Sequence, residues 1–489
     1  MIHIDADLTP EKLLPRITRL FELSAGKIKA IAAAFESSTG SPVLTVKGAY
    51  VGRDWTEWTE GFHYGSALLQ FDATGEAWFL DWAKKKTVQR MAAHVTHMGV
   101  HDHGFHNLST YGNLLRLATE GKIPASDFER HFYALALKAS GAVQAARWSR
   151  TGDGRGYIHS FNGPQSLFVD TLRSLRSLAV AHRLGHVLCG EGDRRISLLD
   201  RLVQHAAVTA EFNVYYGDGR DAFDVRGRVA QESLFNPADG AYRCPSTQQG
   251  YSPFTTWTRG LAWVMCGYAE QLEFLKTVSE GELEPLGGRA KIENLMRRAA
   301  QATCDFYLEN AAADGIPFWD TGAPNLDMLG DWRNQPSDPF NAHEPVDSSA
   351  AAVAAQGLWR LGTYLLSGSE PGNKTPSPPT PLPPGGEGES TKSLESKRGE
   401  VYRHAALAIA RTLFDPPYLS TAAQHQGLIL HSVYHRPRGW DYIPQGHHVP
   451  CGESSMWGDY HARELALIIQ RAAKKESYPA FLNVREAME

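Results

Sequence analysis

The chain has 489 residues, 42% of them hydrophobic and 21% charged, the composition of a globular protein long enough to bury a large core. Its net charge of -5 excludes a general nucleic-acid binder, which needs a basic surface in bulk, and no apolar run is long enough to span a membrane. Five cysteines, odd in number, scattered and without a CxxC pair, suit reduced thiols rather than a disulfide framework or a zinc site; with an acidic start that does not read as a secretory signal, the expected location is the cytoplasm.

Apolar residues recur at helical spacing along the whole chain, and alternating strand patterns are few. The periodicity predicts helices over 10–36, 60–75, 83–98, 106–120, 125–147, 166–187, 194–212, 255–275, 289–311, 348–366, 400–414 and 456–473. Twelve helices make six pairs. Joined by Gly- and Asp-rich loops, with no fixed-period repeat, they suit an all-α closed toroid of inner and outer helices. Between the tenth and eleventh, residues 367–400 replace every packing residue with Pro, Gly, Ser and charge. This stretch is expected to be a disordered insertion inside a single domain covering 1–489, its PSPPTPLPP tract a solvated linker.

Three groups of residues carry candidate chemistry. The stretch HVTHMGVHDHGFH, His94 to His106, packs five histidines around Asp102. His97 and His101 stand at i, i+4 and would share a face as metal ligands, but Gly99 lies between them and no second cluster completes a metal spacing. The stretch therefore reads as a helix end, either solvated or turned toward an organic ligand. Aromatic residues concentrate in loops and at helix starts: Trp55, Trp58, Phe62, Trp148, Trp257, Trp263, Trp319, Trp332, Trp440 and Trp457. Trp beside Gly, Asp and Arg suits a concave surface that stacks on sugar rings, or else seals the wide centre of a helical barrel. Asp170 sits in the apolar helical run SLFVDTLRSLRSLAVA, where a carboxylate is costly unless used or paired. Partial burial would raise its pKa and suit it to general acid catalysis; an ion pair with Arg173 at i+3 is the plainer reading. Arg259 and Trp263, also at i, i+4, place a cation beside a ring, either to grip a carboxylated sugar or as a structural stack.

Taken in order, WTxGF (Trp58 to Phe62), HDxGF (His101 to Phe105), the run around Asp170, QGYxxxxTWxRGxAW (Gln249 to Trp263), DSSA (Asp347 to Ala350), VYHRPxGW (Val433 to Trp440) and MWGDY (Met456 to Tyr460) resemble the unsaturated glucuronyl hydrolases, glycoside hydrolase family 88. The resemblance runs from about residue 55 to about 473, and HDxGF with the QGY block favours this family over the related unsaturated rhamnogalacturonyl hydrolases. It implies an (α/α)6 barrel that removes the unsaturated uronic acid from the non-reducing end of lyase-generated oligosaccharides, with no metal or organic cofactor. By the same resemblance Asp170 is the general acid and then base, and Asp102 its partner. Gln249, Arg259 and Trp263 contact the sugar and its carboxylate, while Trp58, Phe62, His101 and Trp148 line the pocket. The implied partner is an oligosaccharide, not nucleic acid or a membrane.

The chain departs from the family pattern in three places. A pocket histidine expected before the QGY block is missing, with Phe223 and Asp224 nearby; Arg173 and Arg176 make the segment after Asp170 more basic; and PCGESSMWGDY offers Ser454 and Ser455 without a basic partner for a sulfate. These bear on substrate preference. Two other readings of the same residues are an idle barrel that binds acidic oligosaccharides and a glucoamylase-like inverting hydrolase of saturated sugars. A pure binder of anions gains nothing by keeping both Asp102 and Asp170, which favours the enzyme.

Overall fold

The structure, a computed structural model, describes residues 2–38, 40–53, 57–367, 391–476 and 478. Trp55 and most of the Pro/Gly/Ser-rich insertion, 368–390, lie outside the described residues. The principal helices are α1 (Pro10–Ala34), α2 (Glu60–Thr74), α3 (Ala77–Arg90), α4, α5 (Asp127–Ala146), α6, α7 (Leu198–Phe212), α8 (Thr258–Leu275), α9 (Arg289–Asn310), α10 (Ser348–Ser367), α11 (Thr391–Leu413) and α12 (Met456–Ala473). Two of them are composite. In α4, His103–Asn107 passes through a π turn, Leu108–Gly112, into Asn113–Thr119; α6 joins Thr171–Ser174 to Arg176–Arg183.

The odd and even helices differ in what they bury. Helix α5 hides one stripe, including Tyr133, Leu137 and Gln144, and exposes the opposite side. Helices α8, α10 and α12 are buried almost all round, which fits a helix enclosed by others. The even helices touch in sequence, α2 with α4, α4 with α6, α6 with α8, α8 with α10 and α10 with α12, and α12 returns to α2. That closure makes an (α/α)6 toroid with an inner and an outer ring.

Strands are short and lie in the connections: β1 (Leu44–Val46) with β2 (Ala49–Val51), β3 (Trp148–Arg150) with β4 (Gly156–Ile158), β6 (Leu188–Cys189) with β7 (Arg195–Ile196), and a three-stranded antiparallel sheet of β5 (Ser166–Phe168), β8 (Glu232–Phe235) and β9 (Tyr242–Ser246). Sheet β5-β8-β9 corrects one expectation. The predicted helix over 166–187 begins as a strand, because the run SLF pairs with β8, and the helix starts only at Thr171. The helix predicted over 83–98 begins at Ala77 and breaks at Met91, and α11 resumes at Thr391, inside the stretch expected to be disordered. Among the described residues no helix is long and apolar enough to cross a membrane.

Inside the ring, charge is buried on the axis. Arg173 of α6 donates to Glu270 of α8 at 3.0 Å, to Glu464 of α12 at 3.1 Å and to His461 Nε2 at 2.6 Å. Arg176 adds a pair to Glu270 at 3.5 Å, and Gln356 of α10 accepts from Arg173 at 3.4 Å. Burial would raise the Glu464 pKa, yet Arg173 and Arg176 outweigh it and hold the carboxyl down at about 2. Arg173→Leu takes from Glu464 its hydrogen-bonded guanidinium and leaves Glu270 to Arg176 and Arg360, and should cost about 3 kcal/mol in urea unfolding. A folded-state pKa below the unfolded value means that stability from Glu464 is present above about pH 4.5 and is lost as pH falls toward about 2. The wild-type urea midpoint should fall over that window, and the Arg173→Leu/Glu464→Leu double variant should show a shallower fall.

Candidate active site

Each inner helix opens toward the same end of the ring. Thr59, Asp102, Asp170, Trp257 and Ser455 occupy the N-cap positions of α2, α4, α6, α8 and α12, and Asp347 precedes α10. Their first turns meet: Trp58 stacks on Trp457 at 5.1 Å, Phe105 packs on Trp263 at 4.9 Å, and Trp457 Nε1 donates to Ser349 Oγ at 2.9 Å.

At the centre, His101 Nε2 lies 3.4 Å from Asp170 Oδ2 and 3.8 Å from Asp102 Oδ1. Its ring stacks on Phe161 at 6.0 Å and meets the edge of Phe168 at 5.7 Å. Burial alone lowers the imidazole pKa, but the two carboxylates outweigh it and raise it above the ordinary value. Burial pushes the Asp102 carboxyl up, and Asp170 adds to the rise against the opposing pull of His101. Asp170 Oδ1 is buried with no hydrogen-bond partner among the described residues. Among the described residues these three are also the group of His and Asp donors that converge closely enough, within 4.8 Å, to hold a cation.

Local backbone explains this convergence. Asp102 and Asp170 both sit in turns that start helices rather than inside helices. Gly104 lets the two turns touch: its N–H donates to Ser174 Oγ at 2.9 Å, and a Cβ there would stand 2.2 Å from the Ser174 carbonyl oxygen. Gln144 of α5 locks the pair, donating to the His101 carbonyl at 2.7 Å and to Ser174 Oγ at 3.0 Å.

Several sequence expectations change here. Arg173 does not pair with Asp170; it belongs to the axial cluster, because the turn at Thr171 directs it inward. Arg259 does not stack on Trp263. Its guanidinium lies 4.5 Å from the Trp257 ring and 4.9 Å from the Trp457 ring, while Trp263 faces Arg173. The fork of Arg259 is engaged by the protein: it donates to the carbonyls of Val433 and Tyr434, to Asp347 at 3.2 Å and to Gln249 Oε1 at 2.8 Å. His97 is partly exposed beside exposed Met98 and Gly99, but the other histidines beside His101 are not a solvated helix end. His94, His103 and His106 are buried: His94 pairs with Glu60 at 2.9 Å and stacks on His106, and His103 binds Ser140 Oγ. Trp257, Trp263, Trp319, Trp332 and Trp457 are buried and seal the toroid rather than coat a concave surface.

Of the other named residues, Trp58 is partly exposed within a box of Trp457, Phe62, Phe105 and Tyr434. Phe62 is buried beneath it. Trp148 lies on β3 with its ring under the Arg201 guanidinium at 4.6 Å and against Gly156. Gln249 joins the site through Arg259. Two residues that the sequence did not single out take part. Phe161, in a Gly- and Pro-bearing loop, covers His101. Gln231, just before β8, accepts from Val169 N–H through its carbonyl and from the N–H groups of Gln248 and Gln249 through its side chain.

No family model matches the chain. It is 24% identical over 315 residues to an unsaturated glucuronyl hydrolase of Formosa agariphila, the match covering 63% of this chain and 64% of that protein, just under two thirds of its length. It is 26% identical over 324 residues, 65% of this chain and 70% of the relative, to an unsaturated glucuronyl hydrolase of a Bacillus species. The crystal structure of an unsaturated glucuronyl hydrolase from Streptococcus agalactiae superposes with a TM-score of 0.64 at 19% identity, covering 96% of this chain and 98% of that one. The chain is thus homologous, at family level and low identity, to the unsaturated glucuronyl and unsaturated chondroitin disaccharide hydrolases.

Proposed function

We propose that the protein removes the 4,5-unsaturated uronic acid from the non-reducing end of oligosaccharides left by polysaccharide lyases, with the toroid as one catalytic unit. The observation that carries this reading is the imidazole of His101 between Asp102 and Asp170, with one oxygen of Asp170 left unpartnered among the described residues. The homology to hydrolases of this kind supports it.

In this reading Asp170 gives a proton to C4 of the enol ether, and the ring oxygen stabilises the cation that forms at C5. Water adds to C5 and returns a proton to the Asp170 carboxylate. The resulting hemiketal opens by breaking the bond from C5 to the ring oxygen, which leaves a ketone at C5 and a hemiacetal at C1. That hemiacetal expels the neighbouring sugar as an alcohol, so one water is consumed. Attack at the anomeric carbon is not required, unlike the two-carboxylate displacement of ordinary glycosidases. His101 holds positive charge between the carboxylates and keeps a proton within the pair. Trp58 offers its partly exposed ring to the sugar. Because Arg259 occupies Gln249 Oε1, the Gln249 NH2 is the donor left for the substrate carboxylate, and Arg259 serves by holding the 433–434 segment. A second reading exchanges the two aspartates, since it is Asp102 whose surroundings favour the protonated form.

Asp170→Asn keeps the shape and removes the transferable proton. Turnover of an unsaturated disaccharide should fall roughly 100-fold or more while binding persists. Asp102→Asn should also slow turnover. If Asp170→Asn keeps more activity than Asp102→Asn, the roles are exchanged.

Isotopes test the chemistry directly. Turnover in deuterated water, followed by NMR before the product rearranges, should place deuterium at C4. Oxygen-18 water with rapid quenching should label C5 and leave the departing sugar's glycosidic oxygen unlabelled. Absence of C4 deuterium, or efficient cleavage of a saturated glucuronide, would replace hydration with displacement at the anomeric carbon.

A further inference from the structure

Two loops present aromatic rings to solvent. Phe223 and Phe254 stack on each other with centroids 4.4 Å apart and planes 25° apart, yet remain 47% and 43% exposed, and Tyr251 of the same second loop is 51% exposed. Burial would favour such rings strongly, and a patch of this kind left in water marks a binding surface more often than an accident of packing.

The backbone beneath the rings is fixed. Buried Arg228 donates to the Phe223 carbonyl at 2.7 Å and to the Pro253 carbonyl at 3.1 Å, tying the two loops together. Asp224 accepts from the N–H groups of Tyr216, Gly217 and Arg220. Asp320, wholly buried, accepts from Tyr251 N–H at 2.8 Å, and Ser252 accepts from Phe254 N–H at 3.2 Å. Rings held this way meet a ligand with little further loss of entropy.

The same loop leads back to the catalytic turn. Gln231 holds Val169, the neighbour of Asp170, by its backbone, and residues 247–249 by its side chain. Phe254 follows Gln249 by five residues, so the stack lies within about 17 Å of chain from that anchor. This is the reach of a few sugar rings.

We propose that Phe223 and Phe254 form an outer platform for a pyranose ring of the oligosaccharide whose unsaturated end occupies the His101, Asp102 and Asp170 site. The ligand chemistry is the apolar C–H face of a sugar ring lying flat on an aromatic face, beyond the ring that is released. The inference rests on the reading of the site given above. A second copy of this chain is the alternative occupant of the patch.

The test compares lyase-generated di- and tetrasaccharides of unsulfated chondroitin on the full chain and on Phe223→Ala/Phe254→Ala. The ratio of kcat/KM for the tetrasaccharide to that for the disaccharide should fall about fivefold or more. Phe223→Tyr/Phe254→Tyr, which keeps both rings, should retain the wild-type ratio. An unchanged ratio in the alanine variant overturns the platform, and a changed sedimentation coefficient with an unchanged ratio gives the patch to a second copy. If the wild-type chain turns over neither substrate, the reading of the catalytic site fails. Calorimetry with the tetrasaccharide then decides the platform: a several-fold weaker Kd in the alanine variant supports it, and an unchanged Kd or no wild-type binding overturns it.

Discussion

The guanidinium of Arg173 is the fixed point of this molecule. It stands one turn below Asp170 and reaches three other inner helices through Glu270, Gln356, His461 and Glu464. An ion so deeply buried is stable only if its partners keep their geometry. The cluster therefore sets the rotation of α6, α8, α10 and α12 about the toroid axis, and with it the direction in which their first turns project. His461 carries the constraint upward: it accepts from Arg173 on one nitrogen and donates to the Trp457 carbonyl from the other. Trp457 in turn supports Trp58 and one face of the Arg259 guanidinium.

Above this layer the site is built from turns. A carboxylate at a helix start can approach a neighbouring backbone more closely than one in mid-helix, provided the contact residue is small. Gly104 supplies that condition, and the π turn after it absorbs the irregularity that follows. The price is a row of buried polar groups, Ser174, Ser177 and Gln144, each of which needs a partner. They find them in one another and in the backbone of His101 and Gly104. The separation of Asp102 and Asp170 is thereby tied to packing between α4, α5 and α6.

The ring of twelve helices was legible in the sequence because its two halves carry different patterns. Outer helices such as α5 show a stripe, inner ones such as α10 are apolar or small on every side, and both repeat near 3.6 residues. The same rule misread SLFV before Asp170, since a short apolar run fits strand and helix alike. Asp102 and Asp170 stood out through their resemblance to a known set of motifs. Their meeting through His101 did not, because it joins residues 69 apart. Spacing also failed for Arg259: i, i+4 puts Trp263 on the same face, but the long side chain turned instead to Trp257 and to Val433 and Tyr434, over 170 residues away. The histidines were misjudged for a similar reason, since the Glu60 that pairs with His94 lies 34 residues earlier.

The engagement of Arg259 changes how an anionic sugar is expected to be held. With its donors committed to the protein's own carbonyls, to Gln249 and to Asp347, no desolvated free cation waits at that point for a carboxylate. The Gln249 amide and the N-terminal ends of long inner helices, α8, α10 and α12, whose dipoles favour negative charge near their first turns, can serve instead. Such a field attracts a uronate without fixing one bidentate geometry. Orientation must then come from elsewhere, from the Trp58 face on one side and the His101 triad on the other. On the proposed reading, a site of this kind would discriminate by the position of the double bond relative to Asp170 more than by the strength of its grip on the carboxylate.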